Sequence, residues 1–330
     1  MLRVGVVGVG GMGSLHSLQW HQMPGAELVG LADIRPEIAA ERAKERGGCK
    51  SFGSLEEMLK GVELDAVDIC TPTPWHKELA IMAAEAGKHV CTEKPMARTV
   101  EDCREMIEAC DKAGVRLMVA HVLRFFQEYR KGKELLDAGV VGKPAIVRSS
   151  RGGAHPRAWK DWFANYDYSG GVILDTTIHD FDWLRWCFGD VERVFAKGLY
   201  RAGLDHIDYG LVTLRFKSGV IAHVEATWAR EGAFQVSYDI AGDAGLLTHA
   251  STTAMPMQVD LRATEEVREG VQVPSSPVAV SPYYLELEHF ARCLETGEPF
   301  SITGQDGLKA VQIGVAALES IDTGRPVTLA

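Results

Sequence analysis

The run Leu2-Arg3-Val4-Gly5-Val6-Val7-Gly8-Val9-Gly10-Gly11-Met12-Gly13 decides how the rest of the chain reads. Leu2–Val7 is a short apolar strand, and Gly8 to Gly13 spell G-x-G-x-x-G before a helical pattern over Met12–Gln22. A glycine-rich hexamer alone is weak, because such turns also occur without any ligand. The context strengthens it: a strand precedes it, a helix follows, and Asp33 closes the next strand 20 residues past Gly13. Gly8 permits the tight turn, Gly10 lets a backbone approach a pyrophosphate, and Gly13 allows close helix–strand packing, with Gly11 and Met12 between them. The helix start offers free N–H groups to phosphates. Asp33 is placed to accept hydrogen bonds from ribose hydroxyls and to repel a 2′-phosphate, which favours NAD over NADP. Arg35 keeps NADP open, since it can pair with that phosphate or simply stack on adenine.

The first 122 residues alternate apolar strands with amphipathic helices. The strands are Leu2–Val7, Glu27–Asp33, Ala66–Cys70, His89–Cys91 and Val115–Ala120; helices fall at Met12–Gln22, Pro36–Arg46, Lys77–Ala86 and Val100–Ala113. That pattern predicts an α/β Rossmann domain, a doubly wound parallel sheet, over residues 1–122. The grammar then changes. A helix over Phe126–Ala138 is followed by extended segments at Pro144–Arg151, Val191–Tyr200, Ile207–Phe216, Val220–Trp228, Phe234–Ala241 and Leu246–Thr248, with Lys217-Ser218-Gly219 as a hairpin turn. Residues 123–330 therefore read as an α+β domain with a large, mainly antiparallel open sheet. Helices over Thr176–Cys187, Pro282–Glu295 and Asp306–Ser320 complete it, and Ala250–Ser281 reads as irregular connections. One sheet face needs covering by helices, and the other suits a homodimer or homotetramer.

Composition excludes several classes. The 35 basic and 45 acidic side chains leave a net charge of -10, which disfavours nucleic acid and anionic membrane as partners. No apolar run nears the roughly 20 residues that cross a bilayer. The start Met1-Leu2-Arg3-Val4 lacks the long apolar stretch of a signal peptide. The cysteines number 7, an odd count with no Cys-x-x-Cys pair, so they read as reduced thiols in a cytoplasmic protein.

Two clusters carry chemistry. Glu93-Lys94-Pro95 follows the strand His89–Cys91, at the edge where doubly wound sheets bind ligands. Asp175 and His179 lie four apart after Gly170-Gly171, so a helix starting near Asp175 puts both on one face. Taken singly, Asp175 is equally an N-cap and His179 a satisfied core histidine. Asp180 and Asp182 spread around the same helix and read as a solvated acidic face rather than a metal site.

With these three motifs in order, the chain resembles the glucose–fructose oxidoreductase/inositol dehydrogenase/MocA (Gfo/Idh/MocA) family over essentially its whole length. Lys94, Asp175 and His179 match the lysine–aspartate–histidine set of inositol dehydrogenases. The resemblance implies that His179 takes a hydroxyl proton while hydride leaves for nicotinamide, that Asp175 supports it, and that Lys94 hydrogen-bonds the reacting hydroxyl and shares the acid/base role. It also implies that Thr71-Pro72 run beside the cofactor with His76 and Glu93 in the adjoining loops, and that Arg124 lies near nicotinamide or substrate. Arg124 is equally a domain-interface ion-pair partner, and His76 equally structural. For the substrate, His155, Arg157, Trp159 and Trp162 precede the catalytic helix, with Tyr166, Tyr168, Trp228 and Tyr238 as further candidates. Aromatic faces suit the C–H side of a sugar ring, though both tryptophans also read as packing. The expected activity is NAD-dependent oxidation of a secondary hydroxyl of a cyclic polyol or sugar. The alternatives are an NADPH-dependent sugar reductase, a glycosidase that retains NAD, and a non-catalytic NAD or sugar sensor.

Overall fold

The apolar run Leu2–Val7 forms the first strand, β1, and the chain then alternates as expected through α1 (Gly11–Gln22), β2 (Ala26–Ala32), α2 (Pro36–Glu45), β3 (Lys50–Phe52), α3 (Leu55–Gly61), β4 (Ala66–Ile69), α4 (His76–Glu85), β5 (His89–Glu93), α5 (Val100–Ala113) and β6 (Leu117–Ala120). This computed structural model describes residues 1–199, 208–253 and 280–329. The six strands pair in parallel in the order β3-β2-β1-β4-β5-β6. The order reverses between β1 and β4, and ligand crevices of doubly wound sheets open at the carboxyl ends there. Residues of β4 and β6 are buried throughout, as a sheet covered on both faces demands. Neither β3 nor α3 was expected. β3 is a three-residue edge strand without a buried residue, too short to show periodicity. α3 is announced only by its cap, where Ser54 Oγ accepts the Glu57 N–H at 3.2 Å.

The chain continues through α6 (Gln127–Asp137), β7 (Pro144–Gly152), α7 (Tyr166–Ser169), α8 (Gly171–Asp175), α9 (Ile178–Phe188), β8 (Val191–Leu199), β9 (Tyr209–Phe216), β10 (Ile221–Thr227), β11 (Gln235–Gly242) and β12 (Leu246–Ala250). It closes with α10 (Pro282–Thr296), α11 (Gly304–Thr323) and β13 (Val327–Thr328). The second sheet runs β12-β11-β7-β10-β9-β8-β13, antiparallel except for the parallel pair β7/β10. On β9, Val212, Leu214 and Phe216 are fully buried while their neighbours are not, which is the expected alternation. Gly219 takes φ +93° in the Lys217–Gly219 turn, a conformation that favours glycine. The expected strand ends Tyr200 and Ile207, and most of the Ala250–Ser281 connection, lie outside the described residues.

The two compact units do not follow one cut at residue 122. The first comprises Met1–Phe125 with Pro277–Leu308, the second Phe126–Ser276 with Lys309–Ala330. Helix α10 therefore belongs with the first: Phe290 sits edge-on to Trp20, ring centroids 6.3 Å apart. In the second unit α9 covers the sheet. Asp180 and Asp182 are fully buried, which corrects the solvated acidic face. Asp180 pairs with Arg151 Nε at 2.7 Å and accepts the Ser149 hydroxyl at 2.6 Å, both from β7. An arginine on the inner face of a strand demanded a buried carboxylate opposite.

Candidate functional site

The glycine turn between β1 and α1 is shaped by contacts that admit no side chain. Gly8 has φ +82°, and a Cβ there would meet the Thr71 backbone nitrogen at 2.8 Å. A Cβ on Gly13 would lie 1.8 Å from the Gly8 carbonyl oxygen, so α1 can approach β1 only with glycine at this position. Gly10 differs: the nearest atom to its would-be Cβ is Arg35 Nη2 at 3.9 Å, so open space faces it. Gly11 and Met12 begin α1, whose first turn carries no acidic residue. Open backbone, free helix N–H groups and absent negative charge fit a pyrophosphate. Asp33, buried at the end of β2, accepts the Val9 N–H at 3.0 Å and the Arg35 backbone N–H at 3.0 Å. Arg35 also donates from Nε to Oδ1 at 3.0 Å and from Nη2 to Oδ2 at 3.3 Å. A ribose hydroxyl and the Arg35 guanidinium therefore compete for the same lone pairs.

Thr71 and Pro72 follow β4 and lead through a short 3-10 turn, Thr73–Trp75, into α4. His76, a candidate cofactor ligand by sequence, is buried instead with Nε2 2.7 Å from the Thr71 carbonyl and Nδ1 2.9 Å from the Pro95 carbonyl. Neutral, the ring carries one N–H, so it donates to one of these two carbonyls and packs against the other. Burial pushes its pKa below 6.5, against the partly offsetting pull of the Thr71 and Pro95 carbonyls. Glu93 is likewise turned inward: Oε1 lies 3.2 Å from His16 Nε2, and Oε2 accepts the Lys94 backbone N–H at 3.0 Å. It supports the turn from behind, leaving half-buried Lys94 beyond the carboxyl end of β5. Arg124 is buried; Nη1 donates to the Ser301 carbonyl at 2.6 Å and Nη2 pairs with Asp306 Oδ1 at 3.3 Å. The ion-pair partner of Arg124 thus lies inside the first unit, which corrects the domain-interface reading.

Asp175 and His179 lie in the second unit, but not on one continuous helix. Asp175 ends α8, Thr177 is the N-cap of α9, and His179 sits in the first turn of α9. The break arises because Thr176 and Thr177 N–H groups both turn back to the Val172 carbonyl, at 3.0 and 2.9 Å. This corrects Asp175 as N-cap. Its carboxylate accepts the Thr176 hydroxyl at 3.3 Å, and Thr176 Oγ1 accepts the Trp228 indole N–H at 2.8 Å, so a buried tryptophan steadies Asp175 through one hydroxyl.

Around this core stand the other candidates. His155 packs edge-on to Trp228 at 5.1 Å and bonds Asp161 Oδ1 through Nε2 at 2.9 Å. Lys160 and Asp161 adopt φ +53° and +48°, strained for non-glycine residues, and the His155 bond helps hold that kink. Trp162 stacks on Phe163 at 3.9 Å, Lys160 Nζ lies 4.4 Å above Trp159, and Arg157 and Tyr168 are exposed. Tyr238 is removed from the group: it is buried, and its hydroxyl donates to the Glu128 carbonyl at 2.8 Å.

Sequence reading missed Thr176 and Asp208 in the second unit and His16 and Asp68 in the first. Asp208 accepts the Val172 N–H at 3.2 Å, and burial raises its pKa. Nothing local marks Asp208 or Thr176. Asp68 had a signal, a carboxylate inside the apolar run Ala66–Cys70 of a buried strand, where a charge needs partners.

Residues 2–121 match the family model of an oxidoreductase family with an NAD-binding Rossmann fold, and residues 129–248 match that of the GFO/IDH/MocA C-terminal domain. The myo-inositol 2-dehydrogenase of Thermotoga maritima is 31% identical over 99% of this chain and 98% of its own. The 1,5-anhydro-D-fructose reductase of Ensifer adhaerens is 33% identical, over 91% and 90%. Among solved structures, the scyllo-inositol dehydrogenase from Lactobacillus casei with bound NAD(H) and scyllo-inositol is similar with a TM-score of 0.81 at 26% identity, covering 99% of each chain.

Proposed function

This chain belongs to the Gfo/Idh/MocA family of oxidoreductases, and on that premise we propose that it oxidises a secondary hydroxyl of a cyclic polyol or sugar with NAD. The observation that carries the reading is the end-to-end match to myo-inositol 2-dehydrogenase, in a chain that keeps Lys94 at the end of β5 and Asp175 and His179 at the α8–α9 break. Bound NAD supplies the hydride acceptor. The carbinol carbon gives up hydride, its hydroxyl gives up a proton, and ketone, NADH and a proton result. His179 takes the proton, Asp175 orients the imidazole, and Lys94 hydrogen-bonds the reacting oxygen. Asp175 suits its part because Thr176 and Trp228 fix it. Gly8, Gly10, Gly13 and Asp33 hold the dinucleotide.

The test follows absorbance at 340 nm with NAD or NADP against inositols, aldoses and anhydrosugars. NADH formation with one group establishes the activity and names the substrate class. NAD bound without turnover anywhere in the panel removes the dehydrogenase reading and favours a cofactor-retaining hydrolase or a sensor. Lys94→Ala and His179→Ala should each lower kcat by about 10²- to 10⁴-fold, the range of general acid–base contributions, with NAD affinity kept. Turnover at the normal rate in either variant removes that residue from the mechanism.

A sugar reductase using NADPH is the second reading. Arg35 beside Asp33 and the similarity to 1,5-anhydro-D-fructose reductase favour it. Preference for NADPH over NADH in the reductive assay decides for it.

We further propose a cytoplasmic protein that self-associates through the second sheet. All 7 cysteines are free thiols, as a reducing compartment allows. No helix among the described residues is long and apolar enough to cross a membrane. Strand register puts Ile146, Phe195, Leu211 and Leu246, all exposed, on the sheet face opposite the covered one. An exposed apolar face of this kind fits a second copy of the chain.

A further inference from the structure

Behind the Glu93-Lys94-Pro95 turn runs a buried line of polar groups to which the proposed chemistry gives no part. Trp20 Nε1 donates to Asp68 Oδ2 at 2.8 Å, and the same oxygen lies 3.0 Å from His16 Nδ1. Across the ring, His16 Nε2 faces Glu93 Oε1 at 3.2 Å, and the other Glu93 oxygen holds the Lys94 backbone N–H at 3.0 Å. His16, Asp68 and Trp20 are fully buried. The line therefore links α1, the end of β4 and the end of β5 within the first unit.

Two carboxylates flank the ring, at 3.0 Å and 3.2 Å, and their charge favours its protonated state. A neutral imidazole carries one N–H, so it can donate to only one of two carboxylates; the other would face a ring lone pair. An imidazolium donates to Asp68 and turns its other, positive nitrogen to Glu93, an ion-pair contact without hydrogen-bond geometry. Burial opposes that charge, but Asp68, in direct hydrogen-bond contact with Nδ1, outweighs it and holds the ring pKa well above 6.5. Cys70 Sγ lies 3.4 Å from Nδ1, and its thiol is pushed up by burial and by Asp68, so it stays neutral. Cys91 on β5 is likewise pushed up by burial, with Asp68 and then Glu286 of α10 adding to it. Tyr283, also on α10, stands 6.3 Å from the His16 ring. His16, Asp68 and Cys70 place donor atoms within 4.8 Å of one another, a spacing a metal ion tolerates. The direct histidine–aspartate contact and the indole N–H account for these donors without one.

We propose that His16, held as an imidazolium between Asp68 and Glu93, is a positioning residue that locks the Glu93 side chain and, through it, the Lys94 backbone. The inference rests on the reading of Lys94 as a residue that touches substrate. It does not require His16 to touch substrate or cofactor.

The test uses the full chain. Nitrogen-15 spectra of the His16 ring should show both nitrogens protonated from pH 6 to 8, and a neutral ring at pH 7 overturns the proposal. A stoichiometric metal ion in the purified protein overturns it too. In His16→Asn, exchange of the Lys94 amide should quicken by about tenfold, the worth of one contact within a buried ion-pair network. Its kcat should fall by about 10²-fold, as small misplacements of reacting groups do, with KM for NAD unchanged. In the wild type, protection of the Lys94 amide should drop as His16 loses its proton at high pH, a step His16→Asn lacks and a merely structural histidine would not produce. Should His16→Asn not fold, Glu93→Gln keeps an acceptor for the Lys94 amide but removes the charge, and it should release the second ring proton. If the wild type turns over a polyol while His16→Asn matches it in kcat and amide exchange, the positioning role falls and the function stands. If the wild type turns over no polyol while the ring and exchange results hold, the function falls and the positioning of the Lys94 backbone stands.

Discussion

His16 and His76 both lie buried beneath the Lys94 turn, and they titrate in opposite directions. The His76 pKa is depressed by burial. The unfolded chain binds a proton near 6.5 that the folded chain resists, so this contribution is present above that pH and is lost as pH falls through the folded value. For His16 the folded pKa is raised. Its contribution is complete below about 6.5 and is lost as pH rises through the higher folded value. Thermal denaturation across pH should therefore show decline on both sides of neutrality, and His16→Asn should flatten the alkaline limb alone. An unchanged alkaline limb would contradict the imidazolium. Asp33 makes a second prediction at this scale. Its carboxylate now occupies the Arg35 guanidinium, so Asp33→Ser should both remove the ribose acceptor and free Arg35 for a 2′-phosphate. The ratio of kcat/KM for NAD over NADP should drop by about tenfold or more, the worth of one charged hydrogen bond. An unaltered ratio would show that Asp33 does not read the ribose. Residue types and spacing marked Asp33, Lys94 and His179 as candidates. They did not reveal that Glu93 and His76 face inward, because direction depends on partners far along the chain.

Elements were legible where a long apolar period met a clear stop. α5 is such a case, with Thr99 Oγ1 capping its start at 3.1 Å and Gly114 at φ +67° closing it. The α8–α9 break was not legible, since Asp175 to Phe188 keeps one continuous helical pattern. Two threonine N–H groups drawn to one carbonyl interrupt it, and only the folded backbone settles that competition. The glycine turn yields the sharpest test at this scale. Gly13→Ala forces a Cβ to within 1.8 Å of the Gly8 carbonyl, a backbone atom that cannot swing aside. The variant should lose roughly 1–3 kcal/mol or more of stability by overpacking, together with NAD binding. A melting temperature equal to wild type would mean that α1 can shift away from β1 at no cost.

At the scale of the whole molecule, the open sheet has one face covered by helices and one bearing Ile146, Phe195, Leu211 and Leu246 beside charged neighbours. If a second copy covers that face, Leu211→Lys with Leu246→Lys should convert the assembly to monomer, read by light scattering. A species of unchanged mass would place the contact elsewhere. α10 follows the second sheet in sequence yet joins the first unit, where Phe290 meets Trp20 and Arg116 donates to the carbonyls of Cys293 and Glu298. A linear reading assigns each element to the neighbours it has in the chain, so it cannot anticipate that return. The parallel α/β half, the antiparallel half, the nucleotide turn and the identity of the candidate reacting groups are all legible along the chain. These follow from local periodicity, glycine sterics and side-chain chemistry. Packing in three dimensions alone settles which polar groups share a buried space: His16 with Asp68 and Glu93, Arg151 with Asp180, Asp175 with Thr176 and Trp228. Those pairings join residues up to 77 positions apart, His16 to Glu93 being the longest. They are set by the requirement that every buried charge find a partner, which only the packed chain can meet.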